Sequence, residues 1–140
     1  MSARVQLIGK AEFLAALRTL PEELAKEGQV IVEAHAAEHA RATVALYQQH
    51  QKTGRLAGGV TTKQEYSRAS RAAIVRTRAP HAWIFDNGTR KRQTRKGANR
   101  GVMPARPESE RFIPRAIRAR ERMTRALIDL VRRAGFEVTA

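Results

Sequence analysis

Residues 53–78 read TGRLAGGVTTKQEYSRASRAAIVRTR, and a change of rhythm inside this stretch decides the fold class. Thr53-Gly54 closes a helical run, because Gly takes the left-handed backbone that ends helices. Val60, Thr61, Thr62, Ile74, Val75 and Thr77 follow as β-branched residues in short runs. They predict two antiparallel strands, within Leu56–Tyr66 and Arg71–Arg78, with a loop around Ser67–Ser70. Pro80 breaks the second strand, and His81 to Phe85 fits a helical turn and a short strand equally well.

Working back from Gly54, the pattern predicts a helix from about Pro21 to His50, about 43 Å long at 1.5 Å per residue. Leu24, Ile31, Ala42 and Leu46 mark its apolar stripe, and Ala34, Ala36, Ala37, Ala40 and Ala45 smooth its other faces for close packing. Thr19-Leu20-Pro21-Glu22 fits a capping box before it. Lys10 to Arg18 reads as a short preceding helix, with Phe13, Leu14 and Leu17 at helical spacing. Working forward, Pro114 opens a helix to about Ala134, with Ala116, Met123, Leu127 and Leu130 on one face and Arg118, Arg122, Arg125 and Arg132 on another. Gly135 and Phe136 then suit a Schellman ending against Val131. Helix, strands, loop and helix in this order argue for an α+β fold, a long helix packed on a small antiparallel sheet.

The 140 residues fit one domain, and charge divides it. Residues 1–50 carry five basic and six acidic side chains, whereas 51–140 carry 22 and seven. The regions are thus a helical part (1–50), a β part (51–89), a basic loop (90–113) and a terminal helix (114–134). Arg90 to Arg106 holds seven basic residues and no acid, which predicts a mobile loop in the isolated protein. Leu, Ile, Val and Phe number only 29 against 24 Ala, so the core must be thin and open to completion by another subunit. A formal charge of +14 points to a polyanionic partner or an acidic protein surface. Absence of Cys excludes disulfides, a thiolate nucleophile and Cys-ligated zinc. No apolar run approaches the roughly 18 residues of a membrane span, and no signal-peptide pattern opens the chain. Neither a secreted nor a membrane-spanning protein is expected.

Two patterns suggest chemistry. His35-Ala36-Ala37-Glu38-His39 matches the His-x-x-Glu-His of inverted zinc proteases. On a helix both imidazoles share a face, Glu38 is placed as general base, and Glu108, Glu110 or His81 would have to complete the metal shell. Those enzymes are much larger and the helix is otherwise a plain scaffold, so the zinc hydrolase ranks last. The second pattern is Arg90, Lys91, Arg92, Arg95, Lys96 and Arg100, suited to phosphates or to an acidic protein surface. Trp83 and the two Tyr do not interleave with these cations, and no sequence-reading module is present. Nothing else resembles catalysis, so neither an enzyme nor a cofactor is expected.

The order of motifs resembles the neck protein family of long-tailed bacteriophages, also described as tail components, head–tail connectors or tail-completion proteins. Its pattern runs Thr-Gly-Arg-Leu, Tyr-Ala, Glu-x-Gly-Thr, then Pro-Ala-Arg-Pro-Phe-Leu-Arg-Pro-Ala. Here Thr53-Gly54-Arg55-Leu56, His81-Ala82, Asp86-Asn87-Gly88-Thr89, Pro104-Ala105-Arg106-Pro107 and Phe112-Ile113-Pro114-Arg115-Ala116 follow in that order. The likeness spans roughly residues 5–134, with His81 for Tyr, Asp86 for Glu, and Glu108 to Arg111 inserted before Phe112. It implies a structural virion protein made in the host bacterial cytoplasm. Such a protein forms a ring, often of six copies, between neighbouring neck and tail proteins and around the DNA channel. It also implies that residues 53–56 join helix to sheet, that Arg55 pairs with Asp86, and that Gly88 and Thr89 start the basic loop. Pro104 to Pro107 would stiffen its return. A channel in which DNA slides is poorly served by dense cations, which favours docking of the loop on a neighbouring ring. A free nucleic-acid-binding protein is the alternative.

Overall fold

The computed structural model describes residues 22–50, 53–66 and 71–137, and its architecture is α+β. The short helix expected over Lys10–Arg18, the Thr at the head of the capping box and the Ser67–Ser70 loop lie outside the described residues. Helix α1 runs Glu22–His50, α2 Arg55–Gly58, β1 Val60–Tyr66, β2 Arg71–Thr77 and α3 Ala82–Asn87. Strands β3 (Thr89–Gln93) and β4 (Asn99–Met103) follow, then helix α4 (Phe112–Arg133).

The strand pair is where the β-branched runs placed it, with Val60 opposite Thr77 and Thr62 opposite Val75. Leu56 falls outside it. Gly54, with φ 74°, turns the chain into the four-residue α2, whose Gly58 N–H donates to the Gly54 carbonyl at 2.9 Å. Leu56 and Ala57 thereby drop into the core with Tyr47, Ala82 and Phe85. The ambiguous segment after Pro80 is helical, because the Phe85 N–H closes onto the His81 carbonyl at 2.9 Å and Gly88 ends the turn on Ile84.

Helices α1 and α4 pack antiparallel. Glu38 meets Arg122 and His39 meets Phe112, while Gly28 faces Leu127 and Leu130. The apolar stripe of α4 behaves as read, with Leu130 buried and Ala116, Met123 and Leu127 half-buried. That of α1 does not. Its buried positions are His39, Thr43 and Tyr47, one turn apart, while Ala42 is exposed. The polar members fit because Thr43 returns its hydroxyl to the His39 carbonyl at 2.8 Å and Tyr47 meets Phe85 edge to face. The thin core is evident: among the described residues only seven apolar side chains are buried, three of them Ala.

Two corrections concern the later half. The basic loop of 90–113, expected to be mobile over Arg90 to Arg106, contains the β3–β4 hairpin, a second two-stranded antiparallel sheet. Its polar side chains stay in water while its backbone groups satisfy one another, so a strand pair needs no core of its own here. The last helix starts at Phe112 rather than Pro114, placing the proline inside the first turn, where its missing N–H costs nothing. The helix ends as expected: Gly135 N–H donates to Arg132 and Phe136 N–H to Val131, the paired bonds of a Schellman motif.

Candidate functional site

Asp86, at the end of α3, ties together segments distant in sequence. One carboxylate oxygen accepts the Phe112 N–H at 2.9 Å, so a residue 26 positions away caps the start of α4. Its own carbonyl accepts the Arg106 N–H at 3.0 Å. Burial holds the Asp86 carboxyl above the usual carboxylate range, opposed by the Phe112 N–H and by Arg115 and Arg111. Tyr47 shares this pocket, and burial pushes its hydroxyl up to about 12, with the charge of Asp86 adding to the effect.

Gly88 explains how closely the pieces fit. Its φ of 71° with ψ of −171° lies in a region that only Gly adopts readily. A Cβ added there would fall 2.6 Å from the Ala105 nitrogen and 2.8 Å from the Pro104 carbonyl carbon, and closer still to the Met103 oxygen. The Asp86-Asn87-Gly88-Thr89 and Pro104-Ala105-Arg106-Pro107 segments therefore touch backbone to backbone. Thr89 adds a bond, its hydroxyl accepting the Met103 N–H at 3.2 Å. Arg106 lays its guanidinium over the Phe85 ring, 4.7 Å from the centroid. The inserted Glu108–Arg111 folds into a turn on Pro107, and Glu110 lies 3.8 Å from Arg106.

Arg55 does not join this junction. Its side chain is exposed, Asp86 is buried, and the described ion pairs do not include the two. The Phe112 N–H and Arg115 occupy the place foreseen for Arg55. Leu56 is the member of residues 53–56 that reaches the core. Tyr47, Phe85, Phe112 and Arg115 were invisible as junction residues in the sequence, because each partner lies on another element.

The helical pair His35 and His39 borders a cavity of about 470 Å³ between α1, β2 and α4. His39 is buried, its ring tilted against Phe112 with centroids 4.9 Å apart. Burial, then Arg115 and Arg122, hold its imidazole below the ordinary histidine value. Glu38 is taken by Arg122, which donates to it at 3.0 Å. Among the described residues no group of three His, Asp or Glu is placed to hold a metal ion, and Glu108, Glu110 and His81 do not complete one.

Arg90, Lys91, Arg92, Arg95, Lys96 and Arg100 are brought together on the β3–β4 hairpin, all six exposed. The ribbon pairs Thr89 with Met103, Arg92 with Gly101 and Gln93 with Asn99, with register shifts between them. Its tip is closed by Thr94: the Thr94 N–H donates to the Ala98 carbonyl, and the Ala98 N–H donates back to the Thr94 hydroxyl at 3.0 Å. Among the described residues none of the six cations makes an ion pair or a side-chain hydrogen bond. The chain matches no protein-family model, no curated protein and no solved structure.

Proposed function

We propose that the chain is a structural protein of the head–tail neck of a long-tailed bacteriophage, assembling with its own copies into a ring. One observation carries this reading. The segments that resemble the neck family, scattered from Leu56 to Phe112, meet in a single junction around Phe85, Asp86 and Gly88. A set of motifs that specifies one joint behaves as a structural signature, its central carboxylate serving as the cap of α4. The small core and the half-buried Ala37 and Ala40 on α1 add support, since both suit packing between subunits. Exposed Ile113 and Ile117, one turn apart on α4, offer further apolar surface.

The test is the mass of the purified full chain by light scattering, with negative-stain images of any ring. Assembly is expected to weaken in an Ala37→Leu, Ala40→Leu variant, since overpacking an interface costs about 1–3 kcal/mol per site. A wild type that stays monomeric at every concentration, and in particles containing it, overturns the reading. A free DNA-binding protein is the second reading, favoured by the unpaired cations of the hairpin.

A further inference from the structure

We infer that the β3–β4 hairpin is a preformed arm that grips the phosphate backbone of duplex DNA without reading its sequence. The inference stands on the hairpin alone and holds whether or not the chain forms a ring.

Charge comes first. From Asn87 to Pro107 the chain carries seven cations and no carboxylate, and six of the seven stand on the ribbon with no partner among the described residues. Assembly with its own copies leaves an excess of positive charge, because each brings a net +14. The counter-charge must come from a different, strongly anionic molecule.

The makeup of the arm then selects among polyanions. Protein interfaces gather aromatic and apolar anchors and are poor in Lys. Arg90 to Arg100 contains two Lys, no aromatic and one Ala as its only apolar side chain. On the whole arm Val102 is the one exposed large apolar side chain, too little to anchor a protein interface, which outweighs the sequence-based preference for docking on a neighbouring protein. Single strands are held by stacking on aromatic rings, which the arm lacks. The deep, narrow major groove of double-stranded RNA is too tight to seat a β-ribbon. B-form DNA remains: its major groove, about 12 Å wide, admits a two-stranded β-ribbon.

Geometry agrees. Five residues per strand give an arm about 17 Å long at 3.4 Å per residue, and Arg95 and Lys96 sit in the turn between Gln93 and Asn99. Its root is held by the Gly88 contact with Met103 to Ala105 and by the Thr89–Met103 bond, and its tip by Thr94. An arm already ordered loses little freedom on binding. Six cations outnumber the two amide side chains, and Asn99 spends its oxygen on the Gly101 N–H at 2.8 Å, so phosphate contact dominates its chemistry.

The experiment uses the full chain and a random-sequence duplex of about 25 base pairs, titrated across salt by fluorescence anisotropy. Six phosphate contacts predict a slope of log affinity against log salt near −5, or about a 10³-fold loss between 50 and 200 mM. Changing all six cations to Gln should remove about five units of that slope, with thermal melting showing that the fold is kept. Changing Arg90, Arg92, Arg95 and Arg100 to Lys should leave the slope intact and the affinity within a few-fold, because phosphates accept point charges. Three results overturn the proposal: no duplex binding at 50 mM salt, an unchanged slope in the folded Gln variant, or competition by polyglutamate as strong as by duplex of equal charge. The last would transfer the arm to an acidic protein partner.

Discussion

The junction around Asp86 and the hairpin that springs from it use the same residue type in opposite ways. In the junction and on the side of α4 that faces it, four arginines are consumed internally. Arg106 covers Phe85, Arg111 donates to the Arg106 carbonyl at 2.8 Å, Arg118 to the Ser109 carbonyl at 3.1 Å, and Arg122 reaches Glu38. On the hairpin, Arg100 is only six residues from Arg106, yet it and its five neighbours stay unpaired among the described residues. The difference comes from the supply of acceptors. Near α4 the chain provides Glu108, Glu110 and the carbonyls of a turn, whereas the ribbon carries no carboxylate at all. One set of arginines builds the molecule and the other is left for a partner.

The sharpest way to break this division is Gly88→Ala. Forcing a Cβ into the Met103–Ala105 backbone at positive φ combines backbone strain with overpacking, for an expected loss of about 2–5 kcal/mol in chemical denaturation. A loss below 1 kcal/mol, by contrast with that rough sum, would mean that the close contact does not hold the two segments together.

Asp86 comes next. Asp86→Ala leaves the Phe112 N–H uncapped and should cost about 1–2 kcal/mol, within the range of lost helix caps. Asp86→Asn keeps an oxygen for that N–H and removes a buried charge, so it should cost less at pH 7. Because burial raises this carboxyl in the folded state, the proton binds the folded chain more readily than the unfolded one. The resulting stabilisation is complete below the ordinary value of 3.8 and fades as pH rises through the raised value. The Asn variant should lose that acid-side gain; if its denaturation profile retains it, another carboxyl is responsible.

His39 has the opposite sign and a smaller expected effect. Its imidazole is held below 6.5, so its stabilising share is complete above 6.5 and is lost as pH falls through the lowered value. His39→Phe should flatten the decline in melting temperature below pH 6.5 while preserving the ring contact with Phe112. A decline as steep as in the wild type would place the sensitive group elsewhere.

The smallest effect on the fold belongs to the hairpin. Its six-fold Gln variant should keep its stability within about 0.5 kcal/mol, as exposed substitutions usually do, while its DNA affinity collapses. A large loss of stability would blur the distinction between building and binding arginines.

Much of this architecture was legible locally. The end of α1 at His50, the strand pairing from Val60 and the Schellman ending at Phe136 each depend on signals within a few residues. The buried face of α1 was not, because His39 and Tyr47 are buried by partners, Phe112 and Phe85, that sequence spacing does not reveal. The hairpin was missed for a related reason. Composition judged residues 90–106 unable to bury a core, which is correct, but two strands that satisfy each other's backbone need none. The motif residues Asp86, Gly88, Thr89 and Arg106 were visible as a set, while their joint was not. The resemblance implied a pair of Arg55 with Asp86, whereas burial favours a backbone N–H over an exposed guanidinium.

Among the described residues both sheets have only two strands, so each ribbon has edges with no strand paired to them. Such edges are templates for uncontrolled strand addition, and charged side chains with broken register are the common defence. The β3–β4 ribbon has both, in its cations and in its register shifts between Thr89 and Gln93. Its charge therefore carries a second duty, that of keeping copies of the protein apart. A polyanion that screens those cations removes the safeguard at the moment of binding, so the protein should be most prone to aggregate near charge balance and recover solubility on either side of it.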